Sequence, residues 1–297
     1  MWDKLKNEIA ARDFKSLARA ISLVENEVEG YEDFLISLPT NEHTQVIGLT
    51  GPPGAGKSTL TDALIEKMIA ENKKVAVLCI DPSSPFNLGA LLGDRIRLSQ
   101  WYTQPNVFIR SLASRGSLGG LNPKIIEIVD VVKFADFDFI IVETVGVGQS
   151  EIEIAGLADT TVVVLVPESG DEIQTMKAGL MEIADIFVVN KSDRPGADLF
   201  LKNLRQMLAP VFQTQKNEIP IIPTIADQKK GIDDIFKCLI NQSKKETSKK
   251  NWLLTEKVYQ LIQRDRMKDI DKKKLSNQIL KQKTDWNLYR FIKQYKK

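Results

Sequence analysis

The chain has 297 residues, with 41 Lys and Arg against 39 Asp and Glu and a formal net charge of +2. At 43% hydrophobic content it can bury a large α/β core, and no run nears the ~20 apolar residues of a membrane span. Only Cys79, Cys238 and a single histidine, His43 in a polar connector, are present, which excludes a disulfide framework and leaves little to hold a soft transition metal.

Residues 1–40 carry Leu5, Ile9, Phe14, Leu17, Ala20, Ile21 and Val24 at helical spacing, which predicts an N-terminal helical layer. Met1-Trp2-Asp3-Lys4 opens a charged amphipathic pattern and not a secretory leader, so the expected compartment is the cytoplasm. Residues 41–243 alternate apolar runs with helical stretches. Strands are predicted near 45–50, 74–80, 106–111, 138–143, 160–166, 185–190 and 219–224. That alternation is the pattern of an α/β domain with a doubly wound, mostly parallel sheet.

The first strand leads into Gly51-Pro52-Pro53-Gly54-Ala55-Gly56-Lys57-Ser58, then Thr59 and a helical stretch to about Ala70. The spacing is that of a P-loop. Its glycines let backbone N–H groups turn towards an anion, and the helix N-terminus adds its positive dipole end. Lys57 is placed to reach the terminal phosphates and the Ser58 hydroxyl to ligate Mg²⁺. The second strand ends in Asp81-Pro82-Ser83-Ser84, where a metal-shell role for Asp81 outweighs a turn cap because the strand neighbours the Walker B strand. A further acid, Asp94, sits in Leu92-Gly93-Asp94-Arg95. The run Phe139–Val142 ends in Glu143-Thr144-Val145-Gly146, a carboxylate at the C-terminal end of a strand, as in a Walker B element. Most GTPases carry Asp there; this chain carries Glu143.

Asn190-Lys191-Ser192-Asp193 follows another strand and fits N-K-x-D. The Asp193 carboxylate can accept two hydrogen bonds from the N1–H and N2–H₂ edge of guanine. Adenine offers no such pair and would leave the acid unpaired, so GTP and GDP are favoured over ATP. In Thr224-Ile225-Ala226 the backbone N–H of Ala226 is a candidate donor to guanine O6.

Residues 244–297 hold 17 Lys and Arg against 6 Asp and Glu, a net of +11, while residues 1–243 hold 24 against 33, a net of −9. Trp252, Leu253, Val258, Leu261, Ile262, Leu275, Ile279, Leu280, Trp286, Tyr289 and Ile292 recur between the lysines. That spacing predicts a basic helical arm whose amphipathic helices meet a partner, with lysines on the wet face, in preference to a nucleic-acid tail.

Taken in order, residues 51–59, Asp-Pro-Ser-Ser at 81–84, Leu-Leu-Gly-Asp-Arg at 91–95, Ser-Arg-Gly-Ser-Leu-Gly-Gly at 114–120, Glu-Thr-Val-Gly-Val-Gly-Gln-Ser-Glu at 143–151 and Asn-Lys-Ser-Asp at 190–193 form a specific set. It resembles the MeaB/ArgK/MMAA GTPases, within a wider group of metallochaperone-like P-loop GTPases, over residues 1–245. The resemblance implies a GTP-hydrolysing chaperone of a B12-dependent acyl-CoA mutase, usually methylmalonyl-CoA mutase. Such a chaperone gates adenosylcobalamin loading and protects or reactivates the mutase. By position, Asp81, Asp94 and Glu143 match the family's acids around Mg²⁺ and the nucleophilic water. Residues 94–120 match switch I and Val145–Glu151 match switch II. Pro167–Gly179, with Asp171, Gln174 and Lys177, resembles a further switch that couples nucleotide state to the mutase. The arm resembles one that embraces a second subunit, which implies a homodimer. The expected catalytic residues are Lys57, Asp94 and Glu143, with Gln149 a candidate to orient water and Arg95, Arg97, Arg110 and Arg115 candidate arginine fingers. Other readings are a nickel metallochaperone, which the Cys and His inventory disfavours, a transport-linked kinase and a nucleic-acid-binding GTPase.

Overall fold

The structure, a computed structural model, describes residues 1–81, 98–114, 121–144, 150–169, 183–214, 219–242, 248–267, 270–281 and 287–295. The chain divides into two compact units, residues 1–251 and 252–297. In the first, helices α1 (Trp2–Ala10), α2 (Phe14–Glu25) and α3 (Tyr31–Ser37) precede a seven-stranded sheet. Its strands are β1 (Gln45–Thr50), β2 (Val75–Asp81), β3 (Val107–Ala113), β4 (Phe139–Glu143), β5 (Thr160–Leu165), β6 (Ile186–Val189) and β7 (Ile221–Pro223). The spatial order is β3-β2-β4-β1-β5-β6-β7, and every adjacent pair is parallel. Parallel neighbours need crossovers. Helices α4 (Lys57–Ala70), α5 (Ile125–Phe134), α6 (Ser150–Leu157), α7 (Ala197–Thr214) and α8 (Ile232–Asn241) lie between and after the strands. Each of the seven predicted strands is present, shifted by at most two residues at an end.

Strand alternation divides the sheet's side chains between two faces. Ile47, Leu49, Val75, Val77, Cys79, Ile141, Val162 and Val164 share a core with Leu60, Leu64 and Met68 of α4 and Ile235 of α8. Val46, Ala76, Leu78, Ile80, Phe108, Ile140 and Val142 share the opposite core with α5 and with the N-terminal helices, through Leu5, Ile9, Leu17, Ile21, Val24 and Phe34. Ile9, Leu17 and Ile21 are fully buried. Burial of one such side chain contributes about 1.5–3 kcal/mol, so α1–α3 form one wall of the sheet's core. A third cluster joins Val163, Leu165, Phe187 and Val189 to Phe200, Leu204 and Leu208 of α7.

Asp13 starts α2 by accepting hydrogen bonds from the Lys15 and Ser16 amides. The Ser16 hydroxyl also donates to Asp13 Oδ2 at 2.6 Å and holds the Asp13 carboxyl below its ordinary value. α9 (Ser248–Arg266), α10 (Lys272–Leu280) and α11 (Leu288–Ile292) follow α8 in the chain. Leu254, Val258, Leu261 and Ile262, at helical spacing on α9, are exposed. Among the described residues no helix is long and apolar enough to cross a membrane.

Candidate nucleotide site

β1 leaves the sheet at Thr50 and becomes the P-loop. Gly51 has φ 144°, and a Cβ there would stand 2.1 Å from the Val164 carbonyl oxygen of β5. Only glycine lets the chain pass its neighbouring strand so closely. Gly56 caps α4 at φ 87°, where a Cβ would lie 2.4 Å from Asn190 Nδ2. α4 then begins at Lys57, which is buried and donates from Nζ to Gly51 O at 2.9 Å and Pro52 O at 3.1 Å. The ammonium is thus folded back over its own loop. Pro53 and Thr59 are exposed, and Pro52 is half-buried.

Parity decides which acids reach this loop. Cys79 and Ile141 belong to the α4-side core, so Asp81 and Glu143, two residues further on, continue along that face. The register pairs Cys79 with Glu143, which sets Asp81 at the end of β2 beside the end of β4. Both acids are 3% exposed. Glu143 Oε1 accepts a hydrogen bond from Ser58 Oγ and Oε2 accepts one from Thr61 Oγ1, each at 2.7 Å. Thr144 Oγ1 donates to Thr50 Oγ1 at 3.0 Å and ties the end of β4 to β1.

This donor set of hydroxyl and carboxylate oxygens is hard and suits Mg²⁺. Among the described residues no three His, Cys, Asp or Glu side chains gather as a metal cluster. Mg²⁺ has no need of one, because it usually takes one or two carboxylates together with substrate phosphates and water. Ser58, Glu143 and Asp81 fit the protein's share.

The N-K-x-D loop is stitched to the P-loop. Asn190 is 2% exposed. Its Nδ2 donates to Ala55 O at 2.9 Å, and its Oδ1 accepts from the Ala226 amide at 3.1 Å and from Thr224 Oγ1 at 3.3 Å. Lys191, at φ 56°, donates from Nζ to Gly54 O at 2.7 Å. Ser192 Oγ donates to Val189 O and accepts from the Thr224 amide. Asp193 is exposed. The Ala226 N–H, a candidate donor to guanine, here meets Asn190. Arg194, one residue beyond the motif, pairs with Glu168 in the turn Pro167–Ser169. Its hydrogen bond holds the Glu168 carboxyl below the usual value.

The structure therefore brings together the P-loop, Lys57, Ser58, Asp81, Glu143, Asn190, Lys191 and Ala226. Asp94, Gln149, Asp171, Gln174 and Lys177 lie outside the described residues, as do Arg95, Arg97 and Arg115. Arg110 lies on the opposite face of the sheet, where Nη2 donates to Ser22 Oγ of α2 at 2.8 Å and stands 3.7 Å from Glu25. Two contact residues carry no motif. Thr61 holds Glu143, and its only signal in the sequence is its place one helical turn after Ser58. Asp62 Oδ1 accepts from Gln100 Nε2 and Trp101 Nε1, both at 2.6 Å, an anchor across 38 and 39 residues that no local pattern announces.

A family model described as "Methylmalonyl Co-A mutase-associated GTPase MeaB" matches residues 17–284. A Pyrococcus abyssi protein with a GTPase name is 47% identical over 242 residues, which cover 80% of this chain and 74% of that protein. The fused isobutyryl-CoA mutase of Geobacillus kaustophilus is 34% identical over 256 residues, 81% of this chain and 23% of the fused protein. Among solved structures, the LAO/AO transport system kinase matches with a TM-score of 0.67 at 26% identity, covering 91% of this chain and 84% of the other.

Proposed function

The chain belongs to the methylmalonyl-CoA mutase-associated GTPase family, and on that basis we propose that it hydrolyses GTP to GDP and phosphate with Mg²⁺ and uses the cycle to serve a B12-dependent acyl-CoA mutase. The service is to gate adenosylcobalamin loading and to protect or reactivate the mutase. The single observation that carries the nucleotide chemistry is the Ser58–Glu143–Thr61 contact, which fixes a Walker B acid directly against the P-loop hydroxyl. The mutase reading is supported by the Geobacillus relative, in which a region similar to this chain shares a polypeptide with a protein named as an acyl-CoA mutase.

In this reading the P-loop amides and Lys57 bind the β- and γ-phosphates, and Asp193 selects guanine. Ser58 holds Mg²⁺, with Glu143 and Asp81 in its surroundings. The chemistry supplied by Mg²⁺ is neutralisation of charge on the phosphate oxygens. Asp94 and Gln149 are the proposed residues for placing the attacking water. The exposed apolar positions of α9 support the second unit as a homodimer arm.

The test is GTP turnover with and without the acyl-CoA mutase encoded in the same genome. Stimulated release of phosphate to water and a longer mutase lifetime are expected. No stimulation, no complex in any nucleotide state and no effect on mutase lifetime together would reject the chaperone role. Phosphate delivered to a protein acceptor would favour a transport-linked kinase. Asp193→Asn checks the base assignment separately: preference should move from guanosine to xanthosine nucleotides, and an unchanged preference for GDP would refute it.

A further inference from the structure

We infer that Thr61 is a positioning residue for Mg²⁺: its hydroxyl fixes the Glu143 carboxylate so that Glu143 can in turn aim the Ser58 hydroxyl oxygen at the metal. The inference rests on the Mg²⁺-dependent GTPase reading and adds a residue that no motif contains. Ser58 and Thr61 stand three residues apart on α4, so both hydroxyls project from one face towards the end of β4. Each donates to a different oxygen of Glu143 at 2.7 Å. A carboxylate is an acceptor only, so each hydroxyl spends its one proton on this acid. Ser58 Oγ, with its proton committed to Glu143 Oε1, presents its lone pairs elsewhere, which is the state required of a metal-ligating hydroxyl. Glu143 can impose that orientation only if its own rotation is arrested. Thr61 arrests it. Its side chain is fully buried, where it is shielded from competing water, and it grips the oxygen that Ser58 does not. An orienting contact of this kind is a recurrent requirement of metal sites.

The arrangement separates two effects that a packing residue would combine. Nucleotide affinity without metal depends on the P-loop backbone, Lys57 and the base loop. The metal's grip depends on Ser58 and therefore on Thr61. Thr61→Val keeps the shape and removes the proton donor, whereas Thr61→Ser keeps the donor and trims a methyl group. The experiment tracks release of a fluorescent GDP analogue from the full-length protein in EDTA and across a Mg²⁺ titration. The wild type should release GDP more slowly as Mg²⁺ rises. Thr61→Val should match the wild-type rate in EDTA but need about tenfold more Mg²⁺ for half-maximal slowing, the fold-change expected for one lost hydrogen bond to a charged group. Thr61→Ser should stay within about threefold of wild type. An unchanged Mg²⁺ midpoint in Thr61→Val overturns the inference. So does an equal shift in Thr61→Ser, or an EDTA rate that changes as much as the midpoint, since either marks general packing. If the valine variant does not fold, Thr61→Ala is read against Thr61→Ser by the same criteria. A wild type that ignores Mg²⁺ rejects the underlying GTPase reading instead, so the two failures are distinct.

Discussion

Replacing Asn190 by alanine should loosen three loops at once. The side chain is 2% exposed, donates to Ala55 O in the P-loop at 2.9 Å, and accepts from the Ala226 amide at 3.1 Å. Truncation takes this partner from one buried carbonyl and one buried amide. The Thr224 hydroxyl, at 3.3 Å, makes a longer and weaker contact. An unsatisfied buried polar group costs about 1–3 kcal/mol, and partial relaxation brings the pair to about 2–4 kcal/mol. For a unit of this size that lowers the melting midpoint by roughly 4–16 °C. Binding suffers as well, because the ligand must now order a base loop and a P-loop that no longer brace each other. GDP affinity is expected to fall roughly ten- to a hundredfold, corresponding to about 1.4–2.8 kcal/mol. Asn190→Asp should do no better, since it keeps an oxygen for Ala226 but turns another against the Ala55 carbonyl. Differential scanning calorimetry without nucleotide and titration calorimetry with GDP measure the two effects. A variant that melts within about 2 °C of wild type and binds GDP equally well would refute the reasoning.

Gly51→Ala should be damaging for a different reason: its Cβ would overlap the Val164 carbonyl oxygen, a backbone atom with no rotamer to move to. Overpacking together with the unfavourable φ should cost about 2–4 kcal/mol in urea unfolding, and wild-type stability would contradict this. Glu168→Gln tests the Arg194 pair through pH. Because Arg194 lowers the folded-state pKa of Glu168, the pair's contribution is complete above the reference value of 4.5 and is lost as pH falls through the lower folded value. Wild type should therefore exceed the variant slightly at pH 7, the pair being exposed, and the difference should vanish in acid. A difference that grows on acidification would refute the pairing.

The nucleotide loops and the strands were legible in the sequence because their signals are local. Gly51–Ser58 and Asn190–Asp193 each occupy a single turn at the end of a strand, and apolar runs announced all seven strands. Strand ends were harder. β3 runs to Ala113, past the predicted end at residue 111, because Leu112 and Ala113 still pair with Ile80 and Asp81 of β2 and Leu112 completes the core. β7 is shorter than its prediction, spanning Ile221–Pro223. Pro220 has no N–H to give, although its carbonyl accepts from the Phe187 amide. The contacts of Thr61 and Asp62 were invisible for the same reason as those of Arg110: they are long-range, and a sequence sets spacing along a helix without naming the residues that lie opposite.

A charged residue on or beside a buried strand has two meanings, and the face it occupies distinguishes them. Glu143 succeeds Ile141 on the α4 face and meets the P-loop. Arg110 succeeds Phe108 on the other face and meets α2. Lys124, just before α5, repeats the second pattern. It is 8% exposed, and its ammonium lies 2.6 Å from Glu27 and 3.5 Å from Glu127. It also lies 4.7 Å from the Tyr31 ring centre. Burial pulls the Lys124 pKa down, but the Glu27 hydrogen bond and the Glu127 charge outweigh it and leave the pKa raised. Arg110 attaches the N-terminal helices to the sheet and Lys124 attaches them to α5, and stripping either of its partners would strand a buried charge. Arg110 is committed in the same way and is a poor arginine finger. Of the candidate arginine fingers, Arg95, Arg97 and Arg115 then remain, together with one from a partner protein. That makes hydrolysis measured with the mutase present, alongside single alanine variants of those three arginines, the comparison that separates an intrinsic finger from one supplied in trans: a variant that loses turnover identifies the first, and stimulation left intact in all three points to the second.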